Sequence, residues 1–347
     1  MRIGERPPRA AIAVPTRRPI RPPIFFTAGL SLLLVLAACA PKEKEGDQHE
    51  ERVESPAAEK QETPALSTQP QAAFTPIDWA TVAGALGKAG AVQPGDVYRV
   101  GMPRGDLHVI VGGVQIKPAL ALGSWVGFKQ TGPNEVTAMG DLVLLDSEVG
   151  PVTSKLQEGG IEQTAIHNHL LHEAPRVIYV HIRGHGDPTK VATAIHAALT
   201  LTKTPLNAAA AKSEIVQLDT TQISQILGRA GKGSGGVYQV SVPRAETVTE
   251  GSMEVPPALG VATALNFQPT GGHKAAITGD FVLIGSEVNP VIQALKQNGI
   301  EVTALHSHML DESPRLFFMH FWGNDDALKL AKGLREALDR MNVKPAS

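Results

Sequence analysis

Cysteine occurs once in 347 residues, and aromatic residues make up only 4% of the chain. One thiol cannot build a disulfide framework or a cysteine-rich zinc site. So few rings leave no stacking platform for nucleic acid or sugar. Neither sign of charge dominates: 32 Lys and Arg face 34 Asp and Glu, a formal net charge of −2, so the composition offers no basic surface and excludes nucleic acid as a partner. Gly-x-Ser-x-Gly, a Walker loop, a dinucleotide fingerprint and His-Glu-x-x-His are all missing. The glycine-rich run from Gly231 to Gly236 follows a helical pattern and leads into a strand, the reverse of a phosphate loop, and reads as a connection. What the chain does have is 42% hydrophobic residues, enough over this length for two domains with cores of their own.

The near-neutral charge hides an asymmetry. Residues 1–38 carry six arginines against one acid, so the chain from Cys39 onward is acidic. The arginines precede an apolar run, Ile24 to Ala38, of about 15 residues, too short to span a bilayer comfortably and suited to a signal-peptide core. It ends in Leu36-Ala37-Ala38-Cys39, which resembles the lipobox of bacterial lipoproteins. That resemblance implies that Cys39 is lipidated and that the protein is anchored to a membrane of the cell envelope. With Ala40 after the cysteine, it favours the outer membrane in a cell that has one. From Ala40 to Ala72 there are four prolines, eight acids, four bases and no aromatic residue. Such a segment cannot bury enough apolar surface to offset its ordering entropy, and it reads as a disordered acidic tether.

The remainder is a duplication. Asp141 to Arg176 aligns without a gap onto Asp280 to Arg315, with 20 of 36 positions identical. The match extends back to Tyr98 and Tyr238 and forward to His181 and His320. The expected organisation is therefore a signal peptide over 1–38, a tether over 39–72, a first repeat domain over 73–203, a linker over 204–217 and a second repeat domain over 218–347. Within a repeat, helical spacing over Trp79–Ala89 precedes strand runs at Val97–Val100, Leu107–Val111, Leu120–Phe128 and Val136–Leu145. A helix beginning at Ser147-Glu148 stops at Gly159-Gly160. Strands over Ile161–His169 and Arg176–Arg183 follow, then a helix capped by Asp187. This order predicts an α+β fold: two tandem homologous domains, each a mainly antiparallel sheet with packed helices.

Nine of the twelve histidines fall in two short windows, and three positions recur in both copies: His167, His169 and His181, and His306, His308 and His320. Strand alternation puts His167 and His169 on one face, at the rim of a core. Two imidazoles at i and i+2 suit a divalent transition metal, and a carboxylate from the following loop, Glu173 or Glu312, would complete the set. His-x-His-x-x-x-Glu also resembles the first metal motif of cupins, although the second cupin motif and its jelly roll have no counterpart here. With a loop from Leu170 to Pro175, hairpin pairing sets His181 opposite Thr164, roughly 10 Å from His167 at about 3.3 Å per residue. The expected ligands are thus His167, His169 and Glu173, with His306, His308 and Glu312 in the second copy. His181, His320, Arg176, Arg315, Asp141 and Asp280 are additional candidates. The plain structural alternative is that the histidines are hydrogen-bonded groups at a strand end. Glu148 and Glu287 read as compensation of helix dipoles.

Pro103-Arg104, Gly140-Asp141, Ser147-Glu148-Val149, Pro151, His167-x-His169, Glu173, Pro175-Arg176 and His181 together resemble the LppY/LpqO type of bacterial lipoproteins, over roughly Phe74 to Leu338. The resemblance implies secretion and a twofold repeat of unknown function; it supplies no reaction. Three readings follow: a lipid-anchored envelope module binding a small-molecule ligand, metal or partner between its repeats; a metal-dependent hydrolase or oxygenase using His167, His169 and Glu173; and a purely structural lipoprotein.

Overall fold

The computed structural model describes residues 74–208 and 215–345. The expected signal peptide, Cys39 and the tether lie outside these residues. Among the described residues no helix is long and apolar enough to cross a membrane.

The first repeat runs α1 (Trp79–Leu86), β1 (Ala91–Gln93), β2 (Val97–Pro103), β3 (Ile110–Val111), β4 (Val114–Gln115), α2 (Pro118–Ala121), β5 (Gly123–Gly132), β6 (Glu135–Leu145), α3 (Asp146–Glu158), β7 (Glu162–His167), β8 (Glu173–Ala174), β9 (Val177–Gly186) and α4 (Pro188–Leu199). The second repeats it as α5 (Thr220–Leu227), β10 (Lys232–Ser234), β11 (Val237–Pro243), β12 (Thr249–Glu250), β13 (Met253–Glu254), β14 (Ala262–Gly271), β15 (Lys274–Leu283), α6 (Gly285–Gln297), β16 (Glu301–His306), β17 (Glu312–Ser313), β18 (Phe317–Asp326) and α7 (Ala327–Leu338), with a 3-10 turn at Pro257–Leu259 in place of α2. Each repeat has a six-stranded sheet, in the orders β1-β2-β5-β6-β9-β7 and β10-β11-β14-β15-β18-β16, with a three-stranded flap from its short strands. Every neighbouring pair in the large sheets is antiparallel. The protein is thus two tandem homologous α+β domains.

Local signals account for most boundaries. The Glu148 carboxylate accepts from Leu145 N at 2.9 Å and opens α3, and Asp187 accepts from Thr189 N and Lys190 N to open α4. The expected strand over Leu120–Phe128 is corrected: Pro118, at the first helical position, starts the short helix α2, and β5 begins only at Gly123.

Alternation along the central strands divides the sheet into two faces. In β6, Val136, Ala138, Leu142 and Leu144 join α1, α3 and α4 in one core, while Met139 and Val143 point the other way. That inner face meets the inner face of the other repeat. Val97 and Met139 pack with Val282, Met309 and Phe318, and Val143 and Tyr179 with Val237 and Ala276. The order of layers is helices, sheet, sheet, helices, and the two repeats form one compact unit. Each repeat thus keeps a core of its own under its helices, as expected, and shares a further one with its partner repeat. The period-2 pattern of each sheet supplies two apolar faces, and only one can be covered by its own helices.

Candidate functional site

The inner face of β9 carries Tyr179 and His181, and the flanking strands β6 and β7 of the same sheet bring Asp141, His167 and then His169. In the second repeat Phe318, His320, Asp280, His306 and His308 take the same places. The two sets meet at the seam between the sheets. His167 stacks on His306 with ring centroids 3.6 Å apart, His169 on His320 at 3.7 Å, and His181 on His308 at 3.6 Å. Tyr179 covers the outer side of His169 and Phe318 that of His308. All six recurring histidines therefore form one cluster, built equally by both repeats.

Crossed hydrogen bonds set the distance between the halves. Thr164 Oγ1 donates to His308 O at 2.6 Å, and its counterpart Thr303 Oγ1 donates to His169 O at 2.5 Å. Farther out, Arg99 donates to Ala258 O, and Gln239, in the equivalent position, donates to Ala119 O.

Hydrogen bonding also determines which nitrogens are available. Gly279 O can only accept, so at 2.7 Å it holds the proton of His320 on Nδ1 and leaves Nε2 with a lone pair. Asn168 O does the same, less closely, for His167 at 3.3 Å. Nε2 of His167, His169, His181 and His320, Nδ1 of His306 and one carboxylate oxygen each of Asp141 and Asp280 are buried without any hydrogen-bond partner. Each orphaned buried polar atom costs about 1–3 kcal/mol. Seven in one place are too costly for a seam whose only role is packing. One nitrogen from each of His167, His181, His306 and His308 lies within 4.8 Å of the others. The same limit joins His167, His169 and His320, then Asp141, His169 and His181, and then Asp280, His308 and His320. Tetrahedral zinc–imidazole geometry has ligand edges of roughly 3.4 Å, so small side-chain movements would close such a set around an ion.

Burial governs the charges. It lowers His167 to about 4 and His320 to about 3, and holds His169, His181, His306 and His308 below the ordinary imidazole value, with the neighbouring rings adding to the effect. The same burial raises Asp141 to about 7, against the opposing pull of Arg99, and raises Asp280 well above the ordinary carboxyl value, with the neighbouring Asp141 adding to the effect. The cluster at neutral pH is thus a set of uncharged bases beside two carboxyls whose ionisation is opposed by burial.

Several sequence expectations are revised. His181 was expected to lie out of reach of His167. The register instead pairs His167 with Tyr179 and Ala165 with His181, so the two histidines are diagonal neighbours on one face with ring centroids 5.1 Å apart. Glu173 and Glu312 do not join the ligand groups. Their carboxylates turn back to accept from Val177 N and Leu316 N, pinning the start of the next strand. Arg315 donates to Met309 O, Leu310 O, Ser307 and Glu312, whereas Arg176 is exposed. Glu148 and Glu287 do more than compensate a dipole: each receives the buried guanidinium of Arg104 or Arg244 at 2.7 Å. Sequence patterning did not reveal that both copies converge on one site, although equal spacing of identical residues, Thr164 and Thr303 included, was the available signal.

A family model described as a domain of unknown function, DUF1259, matches residues 80–201 and 221–340. Among solved structures the chain is similar to a trimeric bacterial microcompartment shell protein, PduB, at 15% identity over 74% of this chain and 96% of that one, with a TM-score of 0.19. It is similar to EtuB from Clostridium kluyveri at 11% identity over 75% and 96%, with a TM-score of 0.21. Such low TM-scores carry nothing over to this chain. No curated protein matches.

Proposed function

The chain belongs to the DUF1259 family, and from that premise we propose that it is a metal-binding module of the cell envelope whose seam cluster holds a divalent transition-metal ion. One observation carries this reading: a ring nitrogen from each of five buried imidazoles and two carboxylate oxygens, contributed by both repeats, lie close together without hydrogen-bond partners. Histidine nitrogen with carboxylate oxygen is the donor set of zinc, copper, nickel and iron. Ionised Asp141 and Asp280 would balance the two charges of the ion. The lipobox-like Leu36–Cys39 and the acidic tether support attachment to a membrane through Cys39, in the manner of the LppY/LpqO type. Binding is favoured over catalysis because the cluster is buried between the sheets and the cavity beside His181 and His308 has room for a water or an ion.

Elemental analysis of protein purified without a histidine tag tests the reading. Stoichiometric zinc, copper, nickel or iron is expected in the wild type, with at least a tenfold loss of affinity in His167→Ala/His306→Ala. A folded wild type that retains no transition metal after dialysis against each of these ions overturns it.

A further inference from the structure

The two halves of the cluster are alike in their imidazoles but differ beside them. On one side a small cavity is lined by His181, His308, Met139 and Met309, together with Arg183 and Glu250. Register explains the grouping. Met139 lies two residues before Asp141 on the inner face of β6, directly opposite Arg183 of β9, and is therefore diagonal to His181. Met309 follows His308 and is buried with Met139 in one cluster. At the equivalent positions of the other side stand Thr278, Leu170, Trp322 and Val111, and there Trp322 packs into the same apolar cluster as Val111 and Leu170. Duplication kept the imidazoles on both sides and placed thioethers on one.

The rest of the cavity wall differs in the same sense. The Glu250 side chain is 2% exposed, both of its oxygens lack a hydrogen-bond partner, and the nearest cation, Arg183 Nε, stands 3.5 Å away. Val111 holds that place in the other flap, paired with Glu173 as Glu250 is with Glu312. A buried, incompletely paired carboxylate in the cavity wall attracts cations, and soft sulfur beside neutral imidazole selects among them. Thioethers add nothing for zinc, which prefers nitrogen, oxygen and thiolate, and they are favourable ligands for monovalent copper.

We propose that, in addition to a divalent ion, the cluster takes monovalent copper on this side only, held by His181 and His308 together with the thioethers of Met139 and Met309, in the cavity that the carboxylate of Glu250 helps to line. The proposal rests on the reading of the seam as a metal site and extends it to a soft ion.

The test is a pair of titrations on the full-length, untagged protein. Cu(I) is competed against bicinchoninate without oxygen, and Zn(II) against a chromophoric chelator, in wild type and in Met139→Leu/Met309→Leu. Leucine preserves the packing at small cost, and the single variants serve if the double does not fold. Cu(I) affinity is expected to fall at least tenfold with Zn(II) affinity unchanged, and X-ray absorption of the Cu(I) form is expected to show sulfur neighbours that the variant lacks. Zn(II) binding with Cu(I) affinity unaltered by the methionine substitutions overturns the copper subsite and leaves the metal site standing. Failure of wild type to bind Cu(I) overturns the copper subsite, and failure to retain any of zinc, copper, nickel and iron overturns the seam site as well.

Discussion

His320 illustrates how a backbone carbonyl decides the chemistry of a ring: Gly279 O accepts a hydrogen bond from Nδ1–H, and the bare Nε2 is turned into the seam. Burial then keeps that ring and its five neighbours neutral. Between their lowered pKa values and the ordinary value near 6.5, the unfolded chain binds more protons than the folded one, so stability falls as pH drops through that window. Asp141, Asp280, Glu173 and Glu250 act in the opposite sense. Burial raises all four, to about 7 for Asp141 and Glu173, and the stability they contribute is present at acid pH and lost as pH rises through their raised values. Six rings outweigh four carboxyls, so the urea midpoint of the metal-free protein should fall between pH 6.5 and pH 4.5; a midpoint that stays level or rises counts against neutral buried imidazoles. Arg104 carries a second residue-level expectation. Its fully buried guanidinium holds Asp106, Glu148 and Val143 O. Arg104→Ala should cost about 3–5 kcal/mol, because it leaves the Glu148 carboxylate without its ion-pair partner. Chemical denaturation at neutral pH measures this directly.

At the level of elements, the close approach of β14 and β15 depends on Gly279. A Cβ there would sit 1.8 Å from Ala264 O, and one at the equivalent Gly140 would sit 2.6 Å from Trp125 O. These glycines immediately precede Asp280 and Asp141, so the strand approach that excludes side chains also positions the carboxylates. Gly279→Ala should destabilise by at least the about 1–3 kcal/mol typical of overpacking, and should lower metal affinity through a shifted Asp280; an unchanged melt would show that the strands can part there. Much of this scale was legible in the sequence. Asp187 as a cap, Gly159-Gly160 as a stop and the long alternating run of β6 announce themselves by local chemistry. Hairpin register did not, because one residue more or less in the loop between His169 and Val177 moves His181 relative to His167, and nothing local in that loop specifies the count.

At the level of the molecule, the sequence displayed the duplication but not the way its copies meet. Alternating apolar residues mark a strand with two covered faces without saying that the second cover is the other repeat. Because Val97, Met139, Val143 and Tyr179 depend on that cover, residues 73–203 expressed alone should expose an apolar inner face and should not remain monomeric. Light scattering after size exclusion would detect a dimer or larger assembly, and a well-folded monomer would contradict the shared core. In a symmetric dimer of single repeats, any substitution at the seam appears twice, once on each side of the axis. Joining the copies in one chain removes that constraint, so Tyr179 can have Phe318 as its counterpart and Met139 can have Thr278 in an otherwise matched interface. The tandem arrangement thus lets one wall of the seam differ from the other within a single chain.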